Sequence, residues 1–264
     1  MTSLPEELRA ATVSELEAQL FEGAWSAELR RHRSPYVFRG VPRESFGLTT
    51  SLTRLGGPFA DMERHLLRNF RKYAHQNAVA FDSVWHWLSL AQHHGLPTRL
   101  LDWTFSPFVA LHFATENLKY MEADGVVWML HLERAHGELP RPLREVLDVE
   151  GASVFTVDML TAVAPDLATL AALASVPFLA LFEPPAISER FVQQFALFSM
   201  LSDPACRLDQ WFAQRSAIWR RVVVPSELKW EIRDRLDQLN ITERTLMPGL
   251  TGLSRWLKRQ YSPR

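Results

Sequence analysis

The chain has 264 residues, 47% of them hydrophobic, with 9 Trp and 16 Phe, apolar material enough for a large packed core and against a disordered or fibrous chain. Its 29 basic and 30 acidic residues leave a formal net charge of −1, which excludes a global field drawing it to nucleic acid or anionic membrane and leaves only local patches. Cys206 is the only cysteine, so an intrachain disulfide and a multi-cysteine zinc site are excluded and a reducing compartment fits.

The opening MTSLPEELRAAT carries acids and no apolar run, and no segment approaches the ~20 apolar residues of a membrane helix. A cytoplasmic protein without a membrane partner is expected. Ser14 and Glu17, in capping-box spacing, predict a first helix over about Ser14 to Arg31, with Leu16, Leu20, Ala24 and Ala27 on one side. Tyr36 to Gly40 reads as a short strand. A helix from Asp61 places Met62, Leu66, Phe70 and Tyr73 at helical spacing, and its other face is basic.

Residues 90–114, LAQHHGLPTRLLDWTFSPFVALHFA, concentrate polar groups between two apolar helices. Asp82 or Ser83 can cap the first helix, which ends at His94, where Gly95 and Pro97 supply a left-handed stop. Ser106 is the expected N-cap of the second, with Pro107 at its first position, where a missing N–H costs nothing. Leu96, Leu100, Leu101 and Trp103 can anchor the connection in the core. Thr98, Arg99 and Asp102 are left to pair with each other, with backbone or with a ligand, and both a structural brace and a binding role stand open.

Gly125 to Leu132 predicts a central strand. Further strands are expected near Ser153 to Val157, Pro177 to Phe182, Ala196 to Met200 and Ile218 to Val224. Helices are expected near Pro165 to Ala174, Arg207 to Phe212, Glu227 to Gln238 and Leu250 to Arg259. LFEPPAISERF is the strongest internal boundary signal, since Pro184 and Pro185 forbid regular structure while Ser188 can cap a following turn. Strand-forming segments lie on both sides of it. The expected architecture is an α+β single domain, a mixed or antiparallel central sheet with helices packed around it. Residues 1–34 are an N-terminal helical segment continuous with a domain over 35–264.

Several chemistries lack their signatures. No Walker-type or Gly-x-Gly-x-x-Gly loop and no Gly-x-Ser-x-Gly elbow is present. His93 and His94 are adjacent on a helix and point about 100° apart, which suits no common ion, so no metal is expected. His86, His112 and His131 sit in apolar patterns and read as core histidines, and Cys206 in DPACRLD carries no cue for an activated thiolate. Arg30 to Arg33, the helix face with Arg64, Arg68, Arg71 and Lys72, and the segment Arg215 to Arg221 offer basic patches to a nucleic-acid partner, or are solvated faces balanced by neighbouring acids. The tail Trp256 to Arg264 is amphipathic and can dock on a protein partner or close the fold.

Phe38-Arg39-Gly40 on its strand, TSLTR at Thr50 to Arg54, and above all QHHGLPTRLLDWT followed by ALHFA resemble the FRG domain family, named for its Phe/Tyr-Arg-Gly triplet. RFVQQFALF at Arg190 to Phe198, the VVVP strand and LMPGL extend the resemblance along most of the chain, with Ala196 standing where the family usually has Gly. Arg39 also resembles the strand-borne arginine of Arg-Ser-Glu type ADP-ribosyltransferases, which grips NAD phosphates. A guanidinium suits that task because it pairs two phosphate oxygens at once.

What this second resemblance implies is a set of roles. Arg39 and Gly40 would bind the pyrophosphate of NAD, Thr50 and Ser51 would line its nicotinamide or ribose side, and Thr98 and Arg99 would add contacts. Asp102 would orient His93 or His94 as a general base toward an acceptor. For the late catalytic position of that family, Glu183, Glu189, Gln193 and Gln194 are candidates, Glu189 and Gln194 foremost, although no Glu-x-Glu or Gln-x-Glu pair is present. Arg39 can equally be a buried arginine satisfied by carbonyls or by Asp102. The resemblances together imply an NAD-using ADP-ribosyltransferase-like or NAD-hydrolysing effector of the kind found among bacterial toxins and antiphage proteins, acting on a nucleotide and a macromolecular acceptor. The alternative is a non-catalytic module that binds nucleic acid or protein.

Overall fold

The computed structural model describes residues 7–74 and 81–263. Its strands are β1 (Glu7–Arg9), β2 (Trp25–Ser26), β3 (Arg31–His32), β4 (Tyr36–Val41), β5 (Leu101–Thr104), β6 (Gly125–His131), β7 (Leu179–Phe182), β8 (Ala196–Leu201) and β9 (Trp219–Val224). The helices are α1 (Val13–Leu20), α2 (Phe59–Tyr73), α3 (Val84–His93), α4 (Pro107–Thr115), α5 (Leu132–Gly137), α6 (Arg141–Glu150), α7 (Val157–Val163), α8 (Leu167–Ala172), α9 (Glu189–Gln193), α10 (Leu208–Ala213), α11 (Lys229–Gln238), α12 (Glu243–Leu246) and α13 (Leu250–Gln260).

Seven strands form one mixed sheet in the order β1-β9-β6-β4-β5-β8-β7, and β2 and β3 pair separately. Only β1 and β9 run parallel; the other neighbours are antiparallel. This is the expected α+β fold with a mixed sheet. The run VVWML of β6 is buried on both faces, which is why it reads as continuous rather than alternating. Along β4 the alternation is clear. Tyr36 and Phe38 join a core with Ala110, Leu111 and Met129, while Val37 and Val41 join another with Trp103, Trp128 and Leu130.

One discontinuity in the sheet positions the site. β4 pairs with β6 over its whole length, from Tyr36↔His131 to Val41↔Val126, yet meets β5 at Phe38↔Thr104 alone. The sheet therefore parts between β4 and β5. α4 covers the neighbouring face and lies so close to β4 that a Cβ on Gly40 would stand 1.8 Å from the Ala110 carbonyl oxygen. The glycine of the Phe-Arg-Gly triplet is thus required by helix-on-strand packing, and its φ is ordinary.

Local signals account for most boundaries. Ser83 caps α3, Gly95 follows it at φ +78°, and Ser106 caps α4 with Pro107 in its first turn. Three expectations need correction. The first helix does not reach Arg31. Thr12 rather than Ser14 caps it, with Glu15 reaching back to the Ala11 N–H at 2.8 Å, and Gly23 at φ +73° turns the chain into β2 and β3. Residues 153–157 make only an isolated bridge, Phe155↔Phe182, because Thr156 is the N-cap of α7. Leu101 to Thr104, expected as an anchored connection, is strand β5. No helix among the described residues is long and apolar enough to cross a membrane.

Candidate functional site

Where β4 and β5 part, a cavity of about 680 Å³ opens, within the size range of small-molecule sites. Arg39 enters it from β4, Arg54 from the short helical turn Thr53–Leu55, and Arg190 from α9. Phe46, Phe113 and Tyr120 supply apolar wall, and Phe46 and Tyr120 meet edge to face with centroids 5.2 Å apart.

Arg39 is the most constrained of the three. One Nη donates to the Asp102 carbonyl at 2.6 Å, and the Asp102 carboxylate lies 3.9 Å away. Its Nε is shielded from solvent and has no hydrogen-bond partner, while 21% of the side chain remains exposed. Burial pushes its pKa down, the Asp102 charge pulls it back up and Arg54 pushes it down again; a guanidinium still keeps its proton. Arg54 donates to the Thr49 carbonyl at 2.6 Å. The Nε of Arg190 is likewise buried and unpartnered. A buried, unpaired donor costs about 1–3 kcal/mol, and both residues that carry one also line the cavity, where their guanidinium charge favours an anionic guest.

Two carboxylates face these cations. Asp102 accepts from Gln92 Nε2 at 3.0 Å. Glu116, at the C-terminal end of α4, lies 3.5 Å from Nε2 of the fully buried His112. His112 Nδ1 stands 2.9 Å from an Nη of Arg233. Arginine can only donate, so Nδ1 carries the lone pair and Nε2 carries the proton; Nε2 is buried and makes no hydrogen bond, with Glu116 as the carboxylate 3.5 Å from it. Behind this pair Arg259 donates to Glu243 at 2.7 Å and to Asp237 at 2.8 and 2.6 Å. The cavity carboxylate is thus the outermost member of a buried polar chain tied to α11, α12 and α13.

The residues singled out from sequence divide between cavity and scaffold. Arg39, Gly40, Asp102 and Gln194 line the cavity, Gln194 donating its amide to the Leu246 carbonyl at 2.9 Å. Arg99 does not line it. Its Nε donates to both Glu63 oxygens at 2.8 and 2.9 Å and an Nη to the Ser202 carbonyl at 2.9 Å, which makes it a brace. Thr98 and Ser51 are bound to each other, Ser51 Oγ accepting from the Thr98 N–H at 3.0 Å, and Thr50 Oγ1 stands 2.9 Å from Thr53 Oγ1. The Ser51 hydroxyl ties the loop around residues 50–53 to the turn before β5, the Thr98 hydroxyl donates to Gln92 Oε1 at 2.5 Å, and all three residues stand outside the cavity lining.

His93 and His94 end α3 away from Asp102's carboxylate, whose partners are Gln92 and Arg39. The His93 ring packs against Phe191 at 5.0 Å. Burial, then His94, then Arg190 lower its pKa. Glu183 and Glu189 are exposed and outside the lining, because the turn capped by Ser188 directs Arg190 rather than Glu189 to the cavity. Sequence reasoning did not assign Arg54, Arg190, Glu116, Phe46 or Tyr120 to the site. The first two stand in the TSLTR and RFVQQFALF segments that carry the family resemblance, and that was the available signal.

Fold and cavity together define an α+β protein with an arginine-lined cleft at a break in its sheet. The family model for the FRG domain matches residues 34–122, about a third of the chain. The match includes Arg39, Arg54, Asp102 and Glu116 and ends before Arg190 and Gln194. No curated protein and no solved structure matches the chain.

Proposed function

We propose that the cavity binds a nucleotide through its pyrophosphate, that the nucleotide is NAD, and that the protein cleaves it, passing ADP-ribose to water or to a macromolecular acceptor. The observation that carries this reading is the convergence of Arg39, Arg54 and Arg190 on one cavity with the Nε of two of them buried and unpartnered. A planar, permanently charged group with unspent donors is suited to paired phosphate oxygens. The aromatic wall of Phe46, Phe113 and Tyr120 gives a planar ring an apolar surface.

In this reading the pyrophosphate lies against Arg39, flanked by Arg54 and Arg190. Glu116 takes the place of Glu189 and Gln194 in the reaction, since it is a carboxylate that lines the cavity, 3.5 Å from His112 Nε2. Cleavage breaks the bond between the ribose anomeric carbon and the nicotinamide nitrogen. The electron pair leaves with nicotinamide, a water or acceptor hydroxyl attacks the carbon, and Glu116 takes the proton that this nucleophile loses. Consumption of NAD is the route by which such a protein would act as a toxin or antiphage effector.

The test is thermal melting with and without NAD together with a nicotinamide-release assay, on the native protein and on Arg39→Ala. The reading expects a ligand-dependent rise in Tm and nicotinamide release in the native protein and neither in the variant. Equal shifts in both proteins remove Arg39 from the site, and no shift in either removes NAD.

A further inference from the structure

Binding of a nucleotide in the cavity leaves Gln92, Thr98 and Asp102 of the QHHGLPTRLLDWT segment without an assigned task. Gln92, in the last turn of α3, donates from Nε2 to the Asp102 carboxylate at 3.0 Å, and its Oε1 accepts from the Thr98 hydroxyl at 2.5 Å. Both ends of the amide are held. An ionised carboxylate can only accept, so the end of Gln92 turned toward Asp102 is the NH2 group, and the carbonyl end falls to Thr98. Thr98 is 1% exposed, and its Oγ1 already accepts from the Leu100 N–H at 3.2 Å, which leaves the O–H to donate. The chain of bonds runs from Thr98 through Gln92 to Asp102 and ends on a residue of the cavity wall.

The oxygen that Gln92 holds is the one nearest Arg39. Asp102 Oδ2 accepts from Gln92 and lies 3.9 Å from an Arg39 Nη, beyond hydrogen-bonding distance. That Nη donates instead to the Asp102 backbone carbonyl. Arg39 and the Asp102 carboxylate are thus neighbours without being a hydrogen-bonded pair. The Asp102 side chain is 57% exposed, so once released from Gln92 it has room to turn onto the guanidinium, where a charge-assisted hydrogen bond closes to about 2.7–2.9 Å. A guanidinium paired in that way offers an incoming anion less charge and fewer donors, because the guest must first displace the carboxylate.

We infer that Gln92, braced by Thr98, is a positioning residue for the anion site at Arg39: it holds the Asp102 carboxylate back from the guanidinium and so keeps the Arg39 donors for the ligand. The inference rests on Arg39 as the phosphate-binding group of the proposed function and not on the identity of the nucleotide. Gln92 itself stands outside the cavity lining and acts through Asp102.

A crystal structure of Gln92→Leu without ligand tests the geometry. Asp102 Oδ2 is expected to move from 3.9 Å to within about 3 Å of an Arg39 nitrogen, and a carboxylate that stays in place overturns the proposal whatever the cavity binds. Isothermal titration calorimetry with NAD and with inorganic pyrophosphate tests the consequence, on the native protein, Gln92→Leu, Asp102→Asn and the double variant, with Tm recorded to verify folding. Expected is affinity at least about threefold weaker in Gln92→Leu, the scale of a partly exposed ion pair, and native affinity or better in Asp102→Asn. Gln92→Leu/Asp102→Asn should recover native affinity, because an amide at position 102 carries no charge to set against Arg39. A merely structural role for Gln92 would leave the double variant as weak as the single one, and that result overturns the proposal, as does equal affinity in Gln92→Leu and the native protein. The expected pattern with pyrophosphate but no binding of NAD supports the positioning role and removes NAD as the nucleotide; binding of neither probe to the native protein overturns both readings.

Discussion

Arg99 and Arg39 are both guanidiniums drawn into the protein, and they end in opposite conditions. Arg99 has its Nε and one Nη committed to Glu63 and backbone carbonyls in a region 7% exposed or less. Arg39 spends one Nη on a carbonyl, keeps a buried Nε without a partner and faces an open cavity. Burial alone therefore does not mark function. What separates a brace from a binding group is the donor left over after the scaffold has taken its share.

The largest effect should come from the brace. Glu63→Ala leaves Arg99 buried without its counter-charge and is expected to cost about 3–5 kcal/mol in urea denaturation; a loss under ~1 kcal/mol would mean that Arg99 is not held as described. Gly40→Ala comes next. Its Cβ would collide with the Ala110 carbonyl at 1.8 Å, so α4 must shift, at about 3 kcal/mol, and calorimetry should show the lower Tm. His112→Phe keeps the ring volume but leaves the Nη of Arg233 without its acceptor, at about 2 kcal/mol. His112→Gln, which can still donate toward Glu116, should recover NAD cleavage that His112→Phe loses, if the proposed role of Glu116 holds.

A smaller effect concerns the wall between β4 and Tyr120. Lys229 is 1% exposed and donates to the Pro42 and Tyr120 carbonyls at 2.8 and 2.7 Å, and burial pushes its pKa from 10.5 down to about 8. Between those values the unfolded chain binds more protons at this residue than the folded one, so its contribution to stability rises as pH increases from about 8 to 10.5. Melting curves across that window should therefore rise more steeply for the native protein than for Lys229→Met; parallel curves would show that the ammonium is not perturbed. The smallest stability effect is expected at Arg39 itself. Arg39→Ala should change ΔG by no more than ~1 kcal/mol, since it removes one carbonyl contact and relieves an unpaired donor. A loss as large as that of Glu63→Ala would make Arg39 a second brace.

Much of the scaffold was legible in the sequence, because caps and periodicity are local. Ser83, Gly95, Ser106 and Pro107 mark their helix ends unaided, and the apolar run of β6 declares a central strand. β5 was not legible. Its four residues LDWT alternate but are too few for the pattern to declare a strand, and they become one because β8 pairs with all four. The site was half legible. Arg39 and Asp102 stood out in polar clusters, whereas Thr98, Arg99, Thr50 and Ser51, equally polar, turned out to be consumed by Gln92, Glu63, Thr53 and one another. Glu116 was hidden in an apolar helix beside His112, and Arg190 reaches the cavity from a turn far along the chain. Nothing local distinguishes a hydroxyl that a neighbour will claim from one left for a ligand.

The most direct measurement is a structure of the protein determined with NAD. The account predicts pyrophosphate oxygens within hydrogen-bonding distance of Arg39, with its Nε and that of Arg190 newly satisfied and the nicotinamide end toward Glu116. A nucleotide bound elsewhere, with both Nε atoms still without partners, would contradict it.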